Sequence, residues 1–517
     1  MTDTEAPVNV ADLLRAAATS HPDKVAVVDD AVRTSYRLLD EQVDAFAAGL
    51  AELGLVAGNR VAIAMGNSVE FVVAYLAAAR SGVVAVPLNS GSTVDEVARV
   101  LADSGARLCV ADADTVAAVR GAAGGALLAV RVVVTGVEPT DDEVPYSRLL
   151  EATSRVVSPR DREALAVLMY TSGTSGRPRG AMLSNRALVA NIEQAASTDP
   201  PPLTDDDVVL GVVPMSHIYG LNAILGQVIR QQSTLVVARR FSPDETLRLI
   251  GAESVTVVPV APPAIGAWSR VDGIAERLSS VRTLLSGAGP LAEATVRGFE
   301  ELTGLSVEQG YGLTEAAPMV TTTLGAPVHK PGSAGRAVPG VRLRVVDDVG
   351  RDAEHDDPGE ILVQGDNVFS GYWPDGDSAP DPEGWLSTGD IGFLDADGDL
   401  YLVDRLKEVV IVSGFNVYPS EIEEVIAEIA SVRECAVIGV ADDETGESVA
   451  AYVVASDGAA GADELAAEVI AHCESRLARF KLPSTVNVVD ELPHSATGKV
   501  AKGRLRAAEA RRALGLS

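Results

Sequence analysis

The sequence predicts an α/β protein: a large N-terminal domain of doubly wound sheets carrying a small β-barrel subdomain, then a smaller α+β C-terminal domain. Three observations predict it. The chain has 517 residues, of which 47% are hydrophobic, enough for more than one core. Over roughly the first 300 residues, apolar runs alternate with helical periodicity, the pattern of parallel sheets covered by helices. From about residue 338 the chain turns to short strand-like runs separated by Asp/Gly turns.

The elements follow in order. Residues 60–65 form an apolar run, 68–80 repeat with helical spacing, and 82–88 form a second run before Asn-Ser-Gly, together a β-α-β unit. Residues 165–169 read as a strand, followed by a Ser/Thr/Gly loop and a helical stretch from Asn185. Strand runs at 254–260 and 282–285 each lead into a helix, the first opened by Pro262-Pro263 and the second starting at Glu293. Runs at 341–346, 359–364 and 392–403, with a hairpin signal at 395–398, predict the antiparallel barrel over 338–404. After Arg405 come a strand, a helix over 420–429, paired strands at 434–440 and 449–455, and a helix over 462–478. The best boundary lies at 404–408, dividing the chain into 1–404 and 405–517. Loops are expected at 199–202 and 378–384.

Composition excludes several functions. Lys+Arg 42 against Asp+Glu 73 gives a formal net charge of −31, the wrong sign for a general nucleic-acid binder, which must displace phosphate counterions. Cys109, Cys435 and Cys473 are too scattered for a disulfide framework or a metal knuckle, which suits a reducing cytoplasm. The N-terminus has no basic segment followed by an apolar one. The apolar run 71–79 falls far short of the ~20 residues that cross a bilayer. A soluble chain is expected, at most peripheral to a membrane.

The strongest local signal is Tyr170-Thr171-Ser172-Gly173-Thr174-Ser175-Gly176-Arg177-Pro178-Arg179-Gly180. Hydroxyls, glycines and a cation after a strand make a phosphate cradle of exposed N–H and O–H donors. It is not the Gly-x4-Gly-Lys-Ser/Thr loop, because no Lys-Ser/Thr follows. Taken singly, the other candidates have plainer readings. Asp390 alone is a turn aspartate, Glu315 a helix-entry carboxylate, His217 a satisfied core histidine and Lys499 a solvated tail charge.

The segment 170–180 resembles the phosphate loop of the adenylate-forming superfamily, which holds acyl-CoA synthetases, carrier-loading adenylation domains and luciferases. Further segments resemble that family in the same order. They are Pro214-Met215-Ser216-His217-Ile218-Tyr219-Gly220, Ser286-Gly287-Ala288-Gly289-Pro290-Leu291 and Gln309-Gly310-Tyr311-Gly312-Leu313-Thr314-Glu315. Ser387-Thr388-Gly389-Asp390, Asp404-Arg405-Leu406-Lys407-Glu408, Ser413-Gly414-Phe415-Asn416-Val417-Tyr418-Pro419 and residues 493–499 complete the set. The match spans essentially the whole chain.

The resemblance implies two half-reactions. A carboxylate attacks the α-phosphate of ATP and expels pyrophosphate; a thiol then attacks the acyl-adenylate and expels AMP. By resemblance, Thr171, Ser172, Gly173, Thr174, Ser175, Gly176 and Arg179 hold the β- and γ-phosphates. Thr314 donates to the α-phosphate, and Glu315 ligates Mg²⁺. Asp390, with Arg405, accepts from the ribose hydroxyls. Gly287, Ala288, Gly310, Tyr311 and Gly312 flank the adenine. Lys499 is the catalytic cation of adenylation, and the chain holds only six lysines, so an intact lysine motif there is informative. Lys407 falls at the family's hinge of a mobile C-terminal lid. Ser413, Gly414 and Phe415 fall at the tunnel for the pantetheine arm of CoA.

One departure stands out: Arg179 replaces the lysine of most relatives, keeping the charge but not the point geometry. The acid is expected beside His217, Tyr219, Val260, Gly312, Pro318 and Met319, an apolar setting suited to a fatty or aryl acid. The segments 309–318 and 413–419 look most like bacterial fatty-acyl-CoA ligases and, less closely, coumarate–CoA ligases. No aspartate is evident for an α-amine. Three readings stand: an AMP-forming acyl-CoA ligase using ATP, Mg²⁺ and CoA, a synthetase loading a discrete carrier protein, and a non-catalytic acyl- or nucleotide-binding relative. Chain length and oligomeric state are left open.

Overall fold

A computed structural model describes residues 6–509 apart from 125–129, 155, 157, 172–178, 290, 292, 348–349, 356, 358, 406–409, 418, 457–460, 494–499, 501, 503–504 and 507. Two seven-stranded, mostly parallel sheets form the N-terminal part. The first runs Val307–Gln309, Thr283–Ser286, Val257–Val260, Val208–Gly211, Thr234–Val237, Val25–Asp29, Val32–Ser35; only the last pair is antiparallel. The second runs Val144–Pro145, Arg131–Val134, Leu108–Ala111, Arg60–Ala64, Val84–Leu88, Leu165–Thr171, Arg179–Ser184, again antiparallel only in its last pair.

Helices Tyr36–Glu52, Val69–Ser81 and Asn185–Ala196 fill the space between the two sheets. Tyr36, Phe46, Phe71 and Ile192 pack there against Val27 and Val209 of one sheet and Val61 and Ile63 of the other. Alternation sends Val28 and Val258 to the opposite face of the first sheet, onto Leu247, Ile250 and Trp268. Local chemistry sets the helix ends. Ser68 accepts from the Phe71 N–H at the start of Val69–Ser81, and Gly82 closes it in the left-handed region, φ 68°.

The barrel-like region expected over 338–404 is an antiparallel meander, Arg342–Val346, Gly359–Gln364, Trp385–Leu394 and Leu400–Arg405, extended at its last strand by residues 333–335. The C-terminal part is built on a separate sheet from Val410–Val412 onward, in which the long hairpin Val432–Asp442/Gly446–Ala455 packs on helices Pro419–Ala427 and Ala462–Glu474. The strand Arg179–Ser184 differs from the reading of a loop running straight into a helix. It pairs Thr171 with Arg179 and Tyr170 with Gly180, so Leu165–Thr171 and Arg179–Ser184 are antiparallel partners. Among the described residues no helix is long and apolar enough to cross a membrane.

Candidate active site

A cavity of about 480 Å³ opens at the carboxyl ends of Thr283–Ser286 and Val307–Gln309, where open α/β sheets bind their ligands. Its walls bring together residues distant in sequence: Thr171, His217, Ser286, Glu315, Asp390 and Gly414.

The wall 309–315 is built by close backbone approach. A Cβ on Gly310 would sit 2.6 Å from the Thr321 carbonyl oxygen, and one on Gly312 would sit 2.4 Å from that of Pro318. Glycine is therefore required here by chain-on-chain packing, before any ligand is considered. The fold of this wall turns Thr314 and Glu315 into the cavity on a short 3₁₀ turn, Thr314–Ala316. Tyr311 donates from its hydroxyl to Asp390 Oδ2 at 2.6 Å, fixing the carboxylate where the meander strand Trp385–Leu394 meets the cavity. In that strand the backbone register sets Asp390 opposite Arg405.

Glu315 accepts from the Tyr372 hydroxyl, and the Tyr372 ring carries the Arg179 guanidinium 3.8 Å from its centroid. Arg179 also pairs with Asp377 at 2.9 Å. So Arg179 reaches the site through Tyr372 and Glu315, a cation–π stack that a lysine would fill without the planar overlap. Tyr372 and Asp377 escaped the sequence reading. Their signal is the preceding Ser370-Gly371 turn: Gly371 has φ 91° and no room for a Cβ, which would lie 2.3 Å from the Gly376 carbonyl oxygen.

The apolar arm is lined by His217, Ile218, Val257, Pro259, Pro318 and Met319. His217 Nδ1 accepts from the Tyr219 N–H at 3.3 Å, which leaves the proton of the neutral ring on Nε2. Burial pushes its pKa down to about 4. The unfolded chain takes up this proton near pH 6.5 while the folded one refuses it, so the stability present above that pH is lost as pH falls from about 6.5 towards 4. The difference in melting temperature between pH 7.5 and 5 should therefore be smaller in His217→Gln than in wild type. An unchanged difference would mean the ring is solvated. Burial also raises the pKa of Tyr219, whose hydroxyl donates to the Leu285 carbonyl at 3.3 Å.

Val260 is a correction. The strand Val257–Val260 alternates faces, so Val257 and Pro259 look into the cavity while Val260 packs outward with Val258 and Ile250. A one-residue difference flips the face. Gly287 and Ala288 line the cavity, with Ala288 held at φ 67°. The Tyr219 ring lies 3.2 Å from where a Gly287 Cβ would be.

The C-terminal part contributes directly. Val410–Val412 and Phe415–Val417 are joined by a two-residue turn, Ser413 at φ 51° and Gly414 at φ 83°, as tight hairpins with both central residues left-handed require. A Cβ on Gly414 would lie 3.2 Å from Ala261 and 3.5 Å from Ala288 of the N-terminal part. Phe415 stacks on Phe480, ring centroids 4.4 Å apart. Ser172, Gly173, Thr174, Ser175, Gly176, Lys407 and Lys499 lie outside the described residues.

Two hydroxyls the cavity touches, Thr171 Oγ1 and Ser286 Oγ, are buried and have no hydrogen-bond partner among the described residues. Such orphans are costly unless a ligand's polar atoms meet them. The cavity thus brings together hydroxyls, the Glu315 and Asp390 carboxylates and an apolar arm.

Comparison with known proteins agrees with this chemistry. Residues 14–373 match the AMP-binding enzyme family model, and residues 421–499 match that of the AMP-binding enzyme C-terminal domain. The chain is 36% identical over 506 residues to 4-coumarate–CoA ligase 5 of Oryza sativa subsp. japonica, covering 94% of this chain and 92% of the relative. It is 34% identical over 533 residues to the long-chain-fatty-acid–CoA ligase of Yersinia pestis, covering 96% and 93%. Among solved structures, o-succinylbenzoate CoA synthetase of Bacillus subtilis, bound to a product analogue, superposes with a TM-score of 0.82 at 27% identity over 96% of this chain and 98% of that one. The chain belongs to the AMP-binding enzyme family, the adenylate-forming acyl-CoA synthetases.

Proposed function

We propose that this chain is an ATP-dependent, AMP-forming acyl-CoA ligase acting on a fatty or aryl carboxylic acid. One observation carries the reading: a single cavity joins orphaned hydroxyls, the Glu315 and Asp390 carboxylates, an apolar arm and the Ser413-Gly414 turn. In the first half-reaction the substrate carboxylate oxygen bonds to the α-phosphorus and the bond to the β-phosphate oxygen breaks, releasing pyrophosphate. In the second, the CoA sulfur bonds to the acyl carbon and the bond to the adenylate oxygen breaks, releasing AMP. Both steps depend chiefly on positioning and charge neutralisation.

Thr314 and Lys499 donate to the α-phosphate, the loop 171–176 to the outer phosphates, and Asp390 with Arg405 holds the ribose. His217, with its Nε2 proton, lies beside the acid. The Glu315 carboxylate at the cavity wall, steadied by the Tyr372 hydroxyl, fits a hard cation, which typically takes one or two carboxylates and several waters. A Mg²⁺ ion there, when bound, neutralises phosphate charge. We divide the chain at 404/405 with a hinge near Lys407, and take the cytoplasm as its compartment, in keeping with three free cysteines.

Arg179 is a support for Glu315 in this reading. Arg179→Ala should slow adenylation about tenfold with a raised ATP requirement, the scale of one cation–π contact and its charge. Arg179→Lys should recover part of the loss. An unaltered ATP dependence in Arg179→Ala would leave the residue a purely structural one. The reading as a whole is tested by a panel of aryl and alkyl carboxylic acids, with and without CoA, scored for pyrophosphate and AMP. Acyl-CoA formation without any carrier protein is expected; pyrophosphate release with no CoA-dependent product would favour a carrier as acceptor.

A further inference from the structure

Lys481 lies between two carboxylates: its Nζ is 2.9 Å from Glu96 Oε1 and 2.9 Å from Glu421 Oε1, with side-chain exposures of 10%, 7% and 1%. Lys481 and Glu421 belong to the C-terminal part, whereas Glu96 sits on the N-terminal helix Val94–Ser104. We propose that Glu96 and Lys481 are positioning residues for the thioester step, forming a buried ionic latch that docks the C-terminal part with its Ser413-Gly414 turn at the cavity. The proposal rests on the acyl-CoA ligase reading above.

The latch is pre-aimed by the sequence. Thr93 and Glu96 form a capping box, in which Glu96 Oε2 accepts the Thr93 N–H at 2.9 Å. That fixes the carboxylate and leaves Oε1 for the Lys481 ammonium and the Ala478 N–H, the latter at 3.4 Å. The Thr93 hydroxyl donates in turn to the Arg476 carbonyl at 3.1 Å. A capping glutamate ordinarily faces water; here its second oxygen is spent on another part of the protein. The latch also connects to the cavity. Phe480, next to Lys481, stacks on Phe415, next to Gly414, and Gly414 rests on Ala261 and Ala288.

The physics suits a contact that is made and broken each turnover. Desolvation of a buried ion pair offsets most of its attraction, so the latch selects one orientation without gripping it. Burial works against the Lys481 ammonium, and the two carboxylates outweigh it, so its pKa is raised. When the C-terminal part moves away, Glu421 still neutralises Lys481, and Glu96 returns to water while still capping its helix. Neither part has to unfold.

The test uses Glu96→Gln, since glutamine also serves in a capping box and keeps the helix start. Adenylation is read as acid-dependent ATP–pyrophosphate exchange. Thioester formation is read from pre-made 4-coumaroyl-adenylate, or the adenylate of whichever acid wild type uses best, plus CoA. Thioester formation should fall about tenfold or more in Glu96→Gln while exchange stays within about twofold or rises, the scale of losing one buried charged contact. Glu96→Asp, which keeps the charge, should recover part of the loss. Unchanged thioester formation, or equal loss in both assays, would overturn the latch. Absence of both activities in wild type would instead overturn the ligase reading.

Discussion

Lys499→Ala is expected to slow acyl-adenylate formation by roughly a hundred- to a thousandfold, about 3–4 kcal/mol, the usual cost of one electrostatic contact to developing charge. A flexible ammonium can reach the α-phosphate and the attacking carboxylate together. Thioester formation from ready-made adenylate should survive largely intact. The reason lies in the C-terminal part. It presents Gly414 of the Ser413-Gly414 turn to the cavity, and the proposed mechanism assigns the 493–499 segment to the other half-reaction. In the proposed mechanism, a rotation near Lys407 separates the two steps. Pyrophosphate release from acid plus ATP, and acyl-CoA formation from synthetic adenylate plus CoA, separate the two effects. Equal loss in both would mean that the lysine only holds the C-terminal part in place.

Gly312→Ala should damage both half-reactions together. Its new methyl would meet the Pro318 carbonyl oxygen at 2.4 Å, where Gly312 and Met319 form a bridge and the Leu313 N–H bonds to that same oxygen at 3.0 Å. Overpacking of this kind costs about 1–3 kcal/mol even in a forgiving core, and here the obstacle is backbone. The wall carries Thr314 and Glu315 on one side and Pro318 and Met319 on the other, so the proposed phosphate and acid subsites should shift together. A lowered melting temperature with both assays depressed is the expected result. Wild-type rates in both would show that the close approach does not shape the site.

Much of this was legible in the sequence because it is local. Short strand-like runs and the Asp/Gly turn at 395–398 located the meander hairpin, and the strand Gly359–Gln364 falls where its run was read. The β-α-β unit over 60–88 follows from an apolar run, a serine cap and a closing glycine. Elements that depend on distant partners were not readable. Arg179–Ser184 begins among Gly and Pro residues, and its strand conformation comes from pairing with Leu165–Thr171. The hairpin Val25–Ser35 joins a sheet whose other strands begin at Val208, which no local signal encodes. Within the site, residue types announced phosphate and carboxylate chemistry. The parity of one strand decided between Val260 and Pro259, and Tyr372 became visible only as the ring between Arg179 and Glu315.

The central claim is that this cavity forms an acyl-adenylate before any thiol takes part. Acid-dependent exchange of labelled pyrophosphate into ATP, measured without CoA, tests it most directly. The account predicts exchange that needs both the carboxylic acid and a divalent ion, followed by AMP release once CoA is added. Exchange that is absent without CoA, while acyl-CoA still forms with it, would contradict the account.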